Sequence, residues 1–308
     1  MSQTVTTYLH HIALSEAALE PVSLTDGWRF GDSATGVGSG AEPFYSTSYE
    51  ISDTGSTAEE DFAELDTAEF TWYNMIHSHI RKEADGAQYF VRTGTFAHSI
   101  RYDIGTGDGE QRFNMQSLRN PLWTEYYVRF PTNYTHVGGI RKFHLYLGDA
   151  GYSPPQSCIH AWLNLYATSG EGQLAGLEMP LIYYPPNGYV PEPSWDGTVV
   201  HYKEYYVNRN LVGPSNGHDD FILDADLGSW IRVRQYAKAA TANDAEDGVF
   251  KLWKNDDLVI HFDDVPWYDA SFNGFQQGWL GGSNEATLSE TTYVMWDDVK
   301  FYDSDPGW

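Results

Sequence analysis

The chain has 308 residues, 16% of them aromatic, and its 43 acidic and 18 basic residues give it a formal net charge of −25. Such a surface repels the phosphates of nucleic acids and of anionic membranes, which argues against both as partners. Its single cysteine, Cys158, excludes an intrachain disulfide, and we expect a buried, unreactive thiol there.

The N-terminal part differs in composition from the rest. Residues 8–20 have helical spacing, whereas residues 31–68 are rich in Gly, Ser, Thr, Asp and Glu. We interpret residues 1–69 as an extended arm with one short helix. The first residues lack the pattern of a secretory signal, and no segment approaches the roughly 18 apolar residues of a membrane span. We therefore expect cytoplasmic synthesis, no membrane insertion, and a final location in the cytoplasm, on a virion or outside the cell.

Residues 70–308 are predicted to form one domain of antiparallel strands. Aromatic-rich stretches follow one another with turn-rich pieces and no helices between them, a pattern typical of a β-sandwich or barrel. At Asn255-Asp256 the sequence favours a hairpin turn, because both residue types tolerate a left-handed backbone. The predicted strands are 70–81, 87–94, 98–105, 123–131, 141–148, 158–167, 198–208, 229–239, 248–262 and 291–303.

Three of these strands predict a groove lined by polar and aromatic side chains. Alternate residues of a strand point to the same face, and in each of the three the polar positions alternate with apolar ones. If the strands are adjacent, one face presents aromatic rings that stack on sugars beside groups that bind hydroxyls and carboxylates. Arg141 would point away from that face. The alternative is an ordinary solvated face of a sheet. The groove residues would be Trp123, Tyr127, Arg129, Lys142, His144, Tyr146, His160, Trp162 and Asn164.

The C-terminal third contains a series of motifs in a fixed order. They are Trp230 with Val233, the Asp247-Gly248 to Trp253 hairpin, Gly281-Gly282, and Asp297-Asp298 on the last strand. This series resembles the concanavalin A-like jelly roll, in particular the alginate and glucuronan type of polysaccharide lyase. The resemblance implies a concave sheet that binds polysaccharide. The lyase pattern has Gly-Gly-Lys at the entrance to a concave-sheet strand; here Lys142 follows Gly138-Gly139 two residues late.

The resemblance also implies a reaction, the cleavage of a uronate polymer by β-elimination. A cation or amide must neutralise the carboxylate, a base must take the C5 proton, and an acid must protonate the leaving oxygen. Candidates for the three roles are, first, Lys142 or Arg129 with help from Asn164; second, His144, His160 or a tyrosine; and third, Tyr202 or Tyr205.

Two other functions remain open. The first is a non-catalytic jelly roll that binds glycans or serves as a structural protein of a virus particle or other assembly. Its N-terminal arm would then hold a homo-oligomer or assembly together. The second is a laminarinase-like glycoside hydrolase, whose acidic motif resembles Glu64, Asp66 and Glu69. A bulge at residues 67–68 would align these carboxylates, but a solvated acidic loop explains them as well.

None of these activities requires a cofactor, but a structural metal ion is a further expectation. Oxygen-rich loops bind calcium, and jelly rolls of this type often carry such an ion away from the groove. Plain surface acidity is the competing interpretation. On the last strand we expect Asp297 and Asp298 to bond to nearby backbone and to take no part in catalysis. The residues of the candidate calcium loop are Asp219, Asp220, Asp224 and Asp226.

Overall fold

The structure, a computed structural model, describes most of the region from residue 40 onward. Strands between residues 139 and 221 are described by their backbone pairing. The predicted helix at 8–20, and with it Cys158, Tyr205 and Asp219, lies outside the described residues. These are 40–55, 57–104, 109–134, 139–147, 159–167, 172–178, 180–181, 201–202, 220–242, 245, 247–265, 268, 273–282 and 290–308.

The described residues are mainly strands. One short helix, α1 (Ala58–Ala63), and two three-residue 3₁₀ helices accompany them, and none of these is long and apolar enough to cross a membrane. The strands are β1 (Tyr45–Thr47), β2 (Phe70–Ile76), β3 (Ser78–Arg81), β4 (Ala97–Tyr102), β5 (Glu110–Arg119), β6 (Leu122–Arg129), β7 (Gly139–Leu147), β8 (Ile159–Ala167), β9 (Gly172–Glu178), β10 (Pro180–Leu181), β11 (His201–Tyr202), β12 (Asp220–Ile222), β13 (Trp230–Lys238), β14 (Gly248–Lys254), β15 (Asp257–Val265), β16 (Phe275–Gly281) and β17 (Thr292–Tyr302).

The described strands form two antiparallel sheets that pack as a sandwich, which confirms the predicted jelly-roll fold. The eight-stranded sheet has the order β15-β14-β13-β6-β17-β4-β3, and β1 pairs with the end of β17. The nine-stranded sheet has the order β11-β10-β8-β7-β16-β5-β2, and β9 joins β12 to β8. Each sheet therefore mixes strands from distant parts of the chain.

The core lies between the sheets and is rich in aromatic residues. Phe70 and Phe113 from the nine-stranded sheet meet Phe301 from the eight-stranded sheet, with each ring centroid 4.9 Å from that of Phe301. All three side chains are fully buried. Aromatic pairs at such separations add about 0.5–1.5 kcal/mol each to the free energy of burial. The alternation of aromatic and polar residues thus fixes which face of each sheet turns inward.

A buried polar contact also joins the two sheets. Ser78 Oγ, on β3, donates a hydrogen bond to Gln111 Oε1 on β5 at 2.9 Å. Because that bond uses the only hydroxyl proton, His98 Nε2 on β4 must donate to Ser78 Oγ, at 2.7 Å. His98 is completely buried, and burial lowers its pKa from the usual 6.5 to about 3. The imidazole is therefore neutral in the folded protein across the neutral pH range.

Two predicted strands differ from the structure. The stretch 70–81 is divided between β2 and β3, which lie in different sheets, because His77 between them has a left-handed backbone (φ 51°). The stretch 87–94 contains no strand. There, the backbone amides of Arg92 and Thr93 donate to Asp297 Oδ2 at 2.9 and 3.2 Å and not to a neighbouring strand.

Asp297 bonds to backbone, as predicted. Besides the two amides above, the amide of Asp298 donates to Asp297 Oδ1 at 2.8 Å, while the carboxylate of Asp298 pairs with Arg92. Burial raises the pKa of Asp297 to about 7, with these amides opposing the shift. The aspartate pair on the last strand thus fastens a loop to the outer face of the eight-stranded sheet.

The hairpin predicted at Asn255-Asp256 is confirmed. Asn255 has the left-handed backbone (φ 56°) that the turn requires, and Lys254 pairs with Asp257 across it. Part of the segment predicted as an arm also packs on the sandwich. Strand β1 pairs with β17, and α1 begins with a capping box formed by Thr57 and Glu60. The sequence signal for β1 is weak because the strand is only three residues long.

Candidate functional site

Strands β7 and β8 are neighbours in the nine-stranded sheet, as the predicted groove requires. In their register His144 is level with Trp162, and on the other side of β7 it is level with Trp279 of β16. Trp279 is in turn level with Arg112 of β5. Residues that are level on neighbouring strands lie on the same face of a sheet. Position 144 therefore belongs to the face of Arg112 and Trp279, the face opposite the core.

A second level runs parallel to the first on the same face. Tyr146 is level with His160 on β8 and with Gln277 on β16. Pro180 of β10, next to the Leu181–Ile159 pair, falls level with His160, and Tyr202 of β11 pairs with Pro180. Tyr202 thus lies in the same sheet and at the same level as His160, but at the far end of the row. Adjacent strands are about 4.8 Å apart, so Tyr202 is roughly 14 Å from β7 at the backbone.

Lys142 occupies a β-bulge. Arg141 pairs with Asn164 and Phe143 pairs with Leu163, so Lys142 is an extra residue on β7. A bulge sets two residues of one strand against one of its partner and re-aims the strand locally. Arg141 was expected to point away from the groove, but its register places it level with Asn164, on the groove face. The bulge therefore adds a second basic position beside Lys142.

The described side chains on this face form a polar cluster around Arg112. Arg112 Nε donates to Glu110 Oε1 at 2.7 Å, and the guanidinium carbon lies 5.1 Å from the ring centroid of Trp279. Asn74 Nδ2 donates to the same Glu110 oxygen at 2.8 Å. Trp279 is only 5% exposed although it lies outside the buried core cluster. An aromatic ring, a guanidinium and a carboxylate are thus held together at one end of the groove face.

Tyr73 and Asn114 extend this cluster. Tyr73, level with Arg112 on β2, donates its hydroxyl proton to Gln277 Oε1 at 2.7 Å. Burial raises the pKa of Tyr73, and the charge of Arg112 only partly opposes the shift, so the phenol keeps its proton at neutral pH. Asn114 Oδ1 is buried and has no hydrogen-bond donor among the described residues. The cluster therefore brings amide, phenol and indole groups together at this end of the face, with the Trp279 ring and the Asn114 oxygen buried beneath it.

Strand β6 does not belong to this sheet, so the adjacency on which the three-strand groove depends holds for β7 and β8 and fails for β6. Trp123, Tyr127 and Arg129 lie on the outer face of the eight-stranded sheet. There Trp123 contacts Tyr236, with ring centroids 4.7 Å apart, and the guanidinium of Arg92 stacks 3.4 Å above Tyr127. The alternation of β6 was interpreted correctly, but alternation cannot tell which sheet a strand joins.

No group of three or more His, Cys, Asp or Glu residues that could hold a metal ion occurs within the described ranges. Of the candidate calcium loop, Asp220 lies in β12, while Asp224 and Asp226 lie in the following 3₁₀ helix. Asp226 accepts from the backbone amide of Leu223 at 2.8 Å and pairs with Lys254. Asp226, one of the four proposed calcium ligands, is therefore already bonded within the protein.

The acidic motif at 64–69 has separate partners for each carboxylate. Glu64, at the end of α1, accepts from the amide and hydroxyl of Ser52, at 2.9 and 3.0 Å. Asp66 accepts from the amide of Trp72 at 2.7 Å, and Glu69 pairs with Arg119 at 2.7 Å. All three residues precede β2 and are not on a strand. The arrangement supports a structural role for these carboxylates and does not favour the glycoside hydrolase alternative.

Sequence reasoning missed the cluster contributed by β5 and β16. Strand β5 alternates Glu110, Arg112 and Asn114 with buried residues, which is the signal that identified the groove on β7 and β8. Strand β16 was harder to recognise because Gly278 and Gly281 interrupt it. Gly281 has a left-handed backbone (φ 76°), and a Cβ there would lie 2.5 Å from the carbonyl oxygen of Gly109. The glycine is therefore needed where β16 ends against the turn before β5.

Comparisons with known proteins identify the fold. No model of a known protein family matches the chain, and no curated protein matches it. Among solved structures, the alginate lyase Aly36B, as a mutant bound to alginate trisaccharide, is 16% identical over 83% of this chain and 96% of its own, with a TM-score of 0.55. At these identities the likeness is one of fold.

Two further structures give the same result. A glucuronan lyase from the fungus Trichoderma reesei is 13% identical over 86% of this chain and 99% of its own, with a TM-score of 0.51. The alginate lyase vAL-1 from Chlorella virus is 12% identical over 82% of this chain and all of its own, with a TM-score of 0.52. The predicted resemblance to the jelly roll of alginate and glucuronan lyases is confirmed at the level of the fold.

Proposed function

We propose that this protein is a polysaccharide lyase that cleaves a uronate polymer by β-elimination on the outer face of the nine-stranded sheet. The observation that carries the proposal is the pairing of β7 with β8. Together these strands contain Arg141, Lys142, His144 and His160 and no acidic residue, in a chain with 43 acidic residues. The basic residues of β7 and β8 reduce the repulsion that a protein of charge −25 exerts on a polyanion, although Glu178 of the neighbouring β9 is level with Trp162.

The register supports an order of roles along this face. Lys142 and Asn164 are neighbours across the bulge, so they would neutralise the uronate carboxylate and make the C5 proton more acidic. His144 lies two residues from Lys142, about 7 Å along the strand, so both side chains could reach the same uronate unit, whose carboxylate carbon is bonded to C5. His160 is four residues from Asn164, about twice as far. We therefore favour His144 as the base that takes the C5 proton.

An acid must protonate the departing O4 as the C4–O4 bond breaks and the C4–C5 double bond forms. Tyr202 is the acid that the sequence suggests, but three strand spacings separate it from β7. Tyr146, two residues from His144 and level with His160, is the nearer phenol. We propose Tyr146 as the first candidate for the acid and Tyr202 as the second. Trp162 and Arg112 would form the wall that binds neighbouring sugar units, with the buried Trp279 ring supporting Arg112.

The test follows the ultraviolet absorbance of the new double bond while the protein is mixed with a panel of uronate polysaccharides. A rising signal with one polymer would establish the reaction and the substrate together. Lys142→Ala and His144→Ala should each lower kcat/KM by about 100-fold or more. Tyr146→Phe and Tyr202→Phe separate the two candidate acids. Lys251→Ala, on β14 of the other sheet, removes a lysine outside the groove and should leave the rate unchanged.

A flat trace across the panel, from protein shown to be folded by circular dichroism, would contradict the proposal. Binding of the same polymers without cleavage would then favour the non-catalytic glycan-binding function. Cleavage that survives both Lys142→Ala and His144→Ala would keep the reaction but place it elsewhere on the molecule.

A further inference from the structure

A pocket of about 230 Å³ lies on the eight-stranded sheet, away from the groove strands. It forms where β6 ends, and its walls include Gln88, Phe90, Arg129, Asn133, Thr291 and Tyr293. All of these are partly or fully exposed. The volume is below the roughly 300–1,000 Å³ of pockets for drug-sized ligands, so the pocket suits a single sugar-sized group.

The guanidinium of Arg129 is fixed in this pocket by two contacts. Its Nε donates to the carbonyl oxygen of Gly228 at 3.0 Å, and its central carbon lies 3.3 Å above the ring of Phe90. Gly228 has a left-handed backbone (φ 82°), and a Cβ there would come within 2.8 Å of the Thr132 methyl group. A side chain at residue 228 would therefore disturb the carbonyl that orients Arg129.

Arg129 differs from neighbouring arginines in its charge partners. On the adjacent strand β13, Arg232 pairs with Asp256 and Arg234 pairs with Glu125 at 2.8 Å. Among the described residues no carboxylate lies within ion-pair distance of Arg129, whose Nε contact with Gly228 leaves both terminal nitrogens available. A planar guanidinium in this state matches a carboxylate, which can accept two parallel hydrogen bonds from it.

The other walls have the chemistry of a sugar site. Tyr293 packs edge-on against Tyr89, with ring centroids 5.5 Å apart, which holds its ring beside the pocket. Gln88 and Thr291 contribute amide and hydroxyl groups. Asn133 donates to Glu290 Oε2 at 3.0 Å, so one exposed carboxylate stands at the rim. The Glu290 carboxylate would weaken the binding of an anion, and mutation of Glu290 would remove this repulsion.

We propose that this pocket binds one carboxylate-bearing sugar unit, with the carboxylate on the terminal nitrogens of Arg129 and the sugar ring against Tyr293. The site goes beyond the proposed function, because it lies on the other sheet and requires no bond cleavage. It would hold an acidic polysaccharide at a second place on the protein. Its ligand class follows from the fixed cation and the aromatic and amide walls.

The experiment uses monomeric glucuronate, which has no glycosidic bond to cleave, and glucose as the neutral match. Heteronuclear NMR titration of the full chain gives the Kd of each sugar and shows which amides move. We expect glucuronate to bind at least tenfold more tightly than glucose and to shift the amides of Phe90, Asn133 and Gly228. Arg129→Gln should weaken glucuronate binding at these amides at least tenfold. Arg232→Gln, the same change on the same sheet, should alter the Kd less than twofold.

Glu290→Gln is the second variant and changes an exposed residue, so it does not endanger the fold. It should tighten glucuronate binding two- to fivefold and leave glucose binding unchanged. Equal Kd values for the two sugars, or shifts at these amides that survive Arg129→Gln, would overturn the proposal. Since the readout is local to the pocket, it is separate from the absorbance test. Arg129-dependent binding without any cleavage would keep this site and reject the lyase.

Discussion

The outer faces of the two sheets carry similar residue types and arrange their charges differently. On the eight-stranded sheet, Glu125 accepts from both Arg234 and Lys300, at 2.8 and 3.2 Å. Along the adjacent strands β7 and β8 of the nine-stranded sheet, basic residues and histidines follow one another without an acidic residue. Paired charges stabilise a fold, whereas cations without a carboxylate on their own strand attract an anionic ligand. The proposed uronate-binding groove on the nine-stranded sheet depends on this difference.

The largest expected effect comes from protonating the residue that joins the two sheets. The folded-state pKa of His98 is about 3, below its ordinary value of 6.5. The neutral His98 imidazole therefore contributes its full stabilisation to the folded state above pH 6.5. That stabilisation is lost as the pH falls toward 3. A difference of this size corresponds to roughly 5 kcal/mol of unfolding free energy. Chemical unfolding of the protein and of His98→Gln at pH 7 and pH 3 measures it.

The informative quantity is the difference between the two proteins at each pH, because other groups titrate equally in both. Glutamine can still donate to Ser78 but cannot be protonated. If the two proteins lose stability in parallel between pH 7 and pH 3, the buried imidazole is not the group responsible.

The next largest effect is expected when the paired charges of the eight-stranded sheet lose their shared carboxylate, Glu125. Burial alone would raise the pKa of Glu125, but the hydrogen bond from Arg234 and the charge of Lys300 hold it below its usual value. Glu125→Gln removes the carboxylate from Lys300 and leaves Arg234 with only the exposed Asp256, and it should cost about 3 kcal/mol in urea unfolding. Asp256→Asn is the matched control. Its carboxylate also meets Arg232 and Arg234 but is 80% exposed, so the loss should stay below about 1 kcal/mol. Equal losses of unfolding free energy in the two variants would show that the burial of Glu125 does not strengthen its ion pairs.

A third experiment makes the groove resemble the other sheet. Asn164→Asp places a carboxylate beside Lys142, at the bulge. It should raise the KM or Kd for a uronate polymer about tenfold, equivalent to about 1.4 kcal/mol, with little change in stability. Ser304→Asp adds the same charge at an exposed position and serves as the control. An identical response to both substitutions would mean that net charge alone, and not the local field of β7 and β8, governs binding.

The smallest effect concerns the end of the groove face. Tyr73→Phe removes the hydrogen bond to Gln277 and should lower the unfolding free energy by about 1 kcal/mol. Because the phenol keeps its proton at neutral pH, the cost should not change between pH 6 and pH 8. Thermal unfolding at both values checks this. A pH-dependent cost would show that another group titrates with Tyr73.

The strands of the two sheets were only partly predictable from the sequence. Strands β6, β7, β8 and β13 were recognised because their residues largely alternate in type, and β17 because it is rich in aromatic and β-branched residues. Strands β9 and β16 were missed because glycines weaken their patterns. Residues 87–94 were mistaken for a strand because they contain aromatic and β-branched residues, but in the structure Phe90 stacks under Arg129 and Arg92 stacks over Tyr127. Residue types typical of strands therefore also occur in loops that pack on an outer face.

The sequence by itself determined which residues turn inward, where the Asn255 hairpin lies, and that the fold is an antiparallel sandwich or barrel. These properties depend on the period of two in a strand and on the backbone preferences of turn residues, both of which are local. Only the tertiary structure decided that β6 lies in one sheet and β7 with β8 in the other, and that Arg141 shares the groove face. Sheet membership and register depend on pairings between distant segments, which alternation along a single strand does not encode.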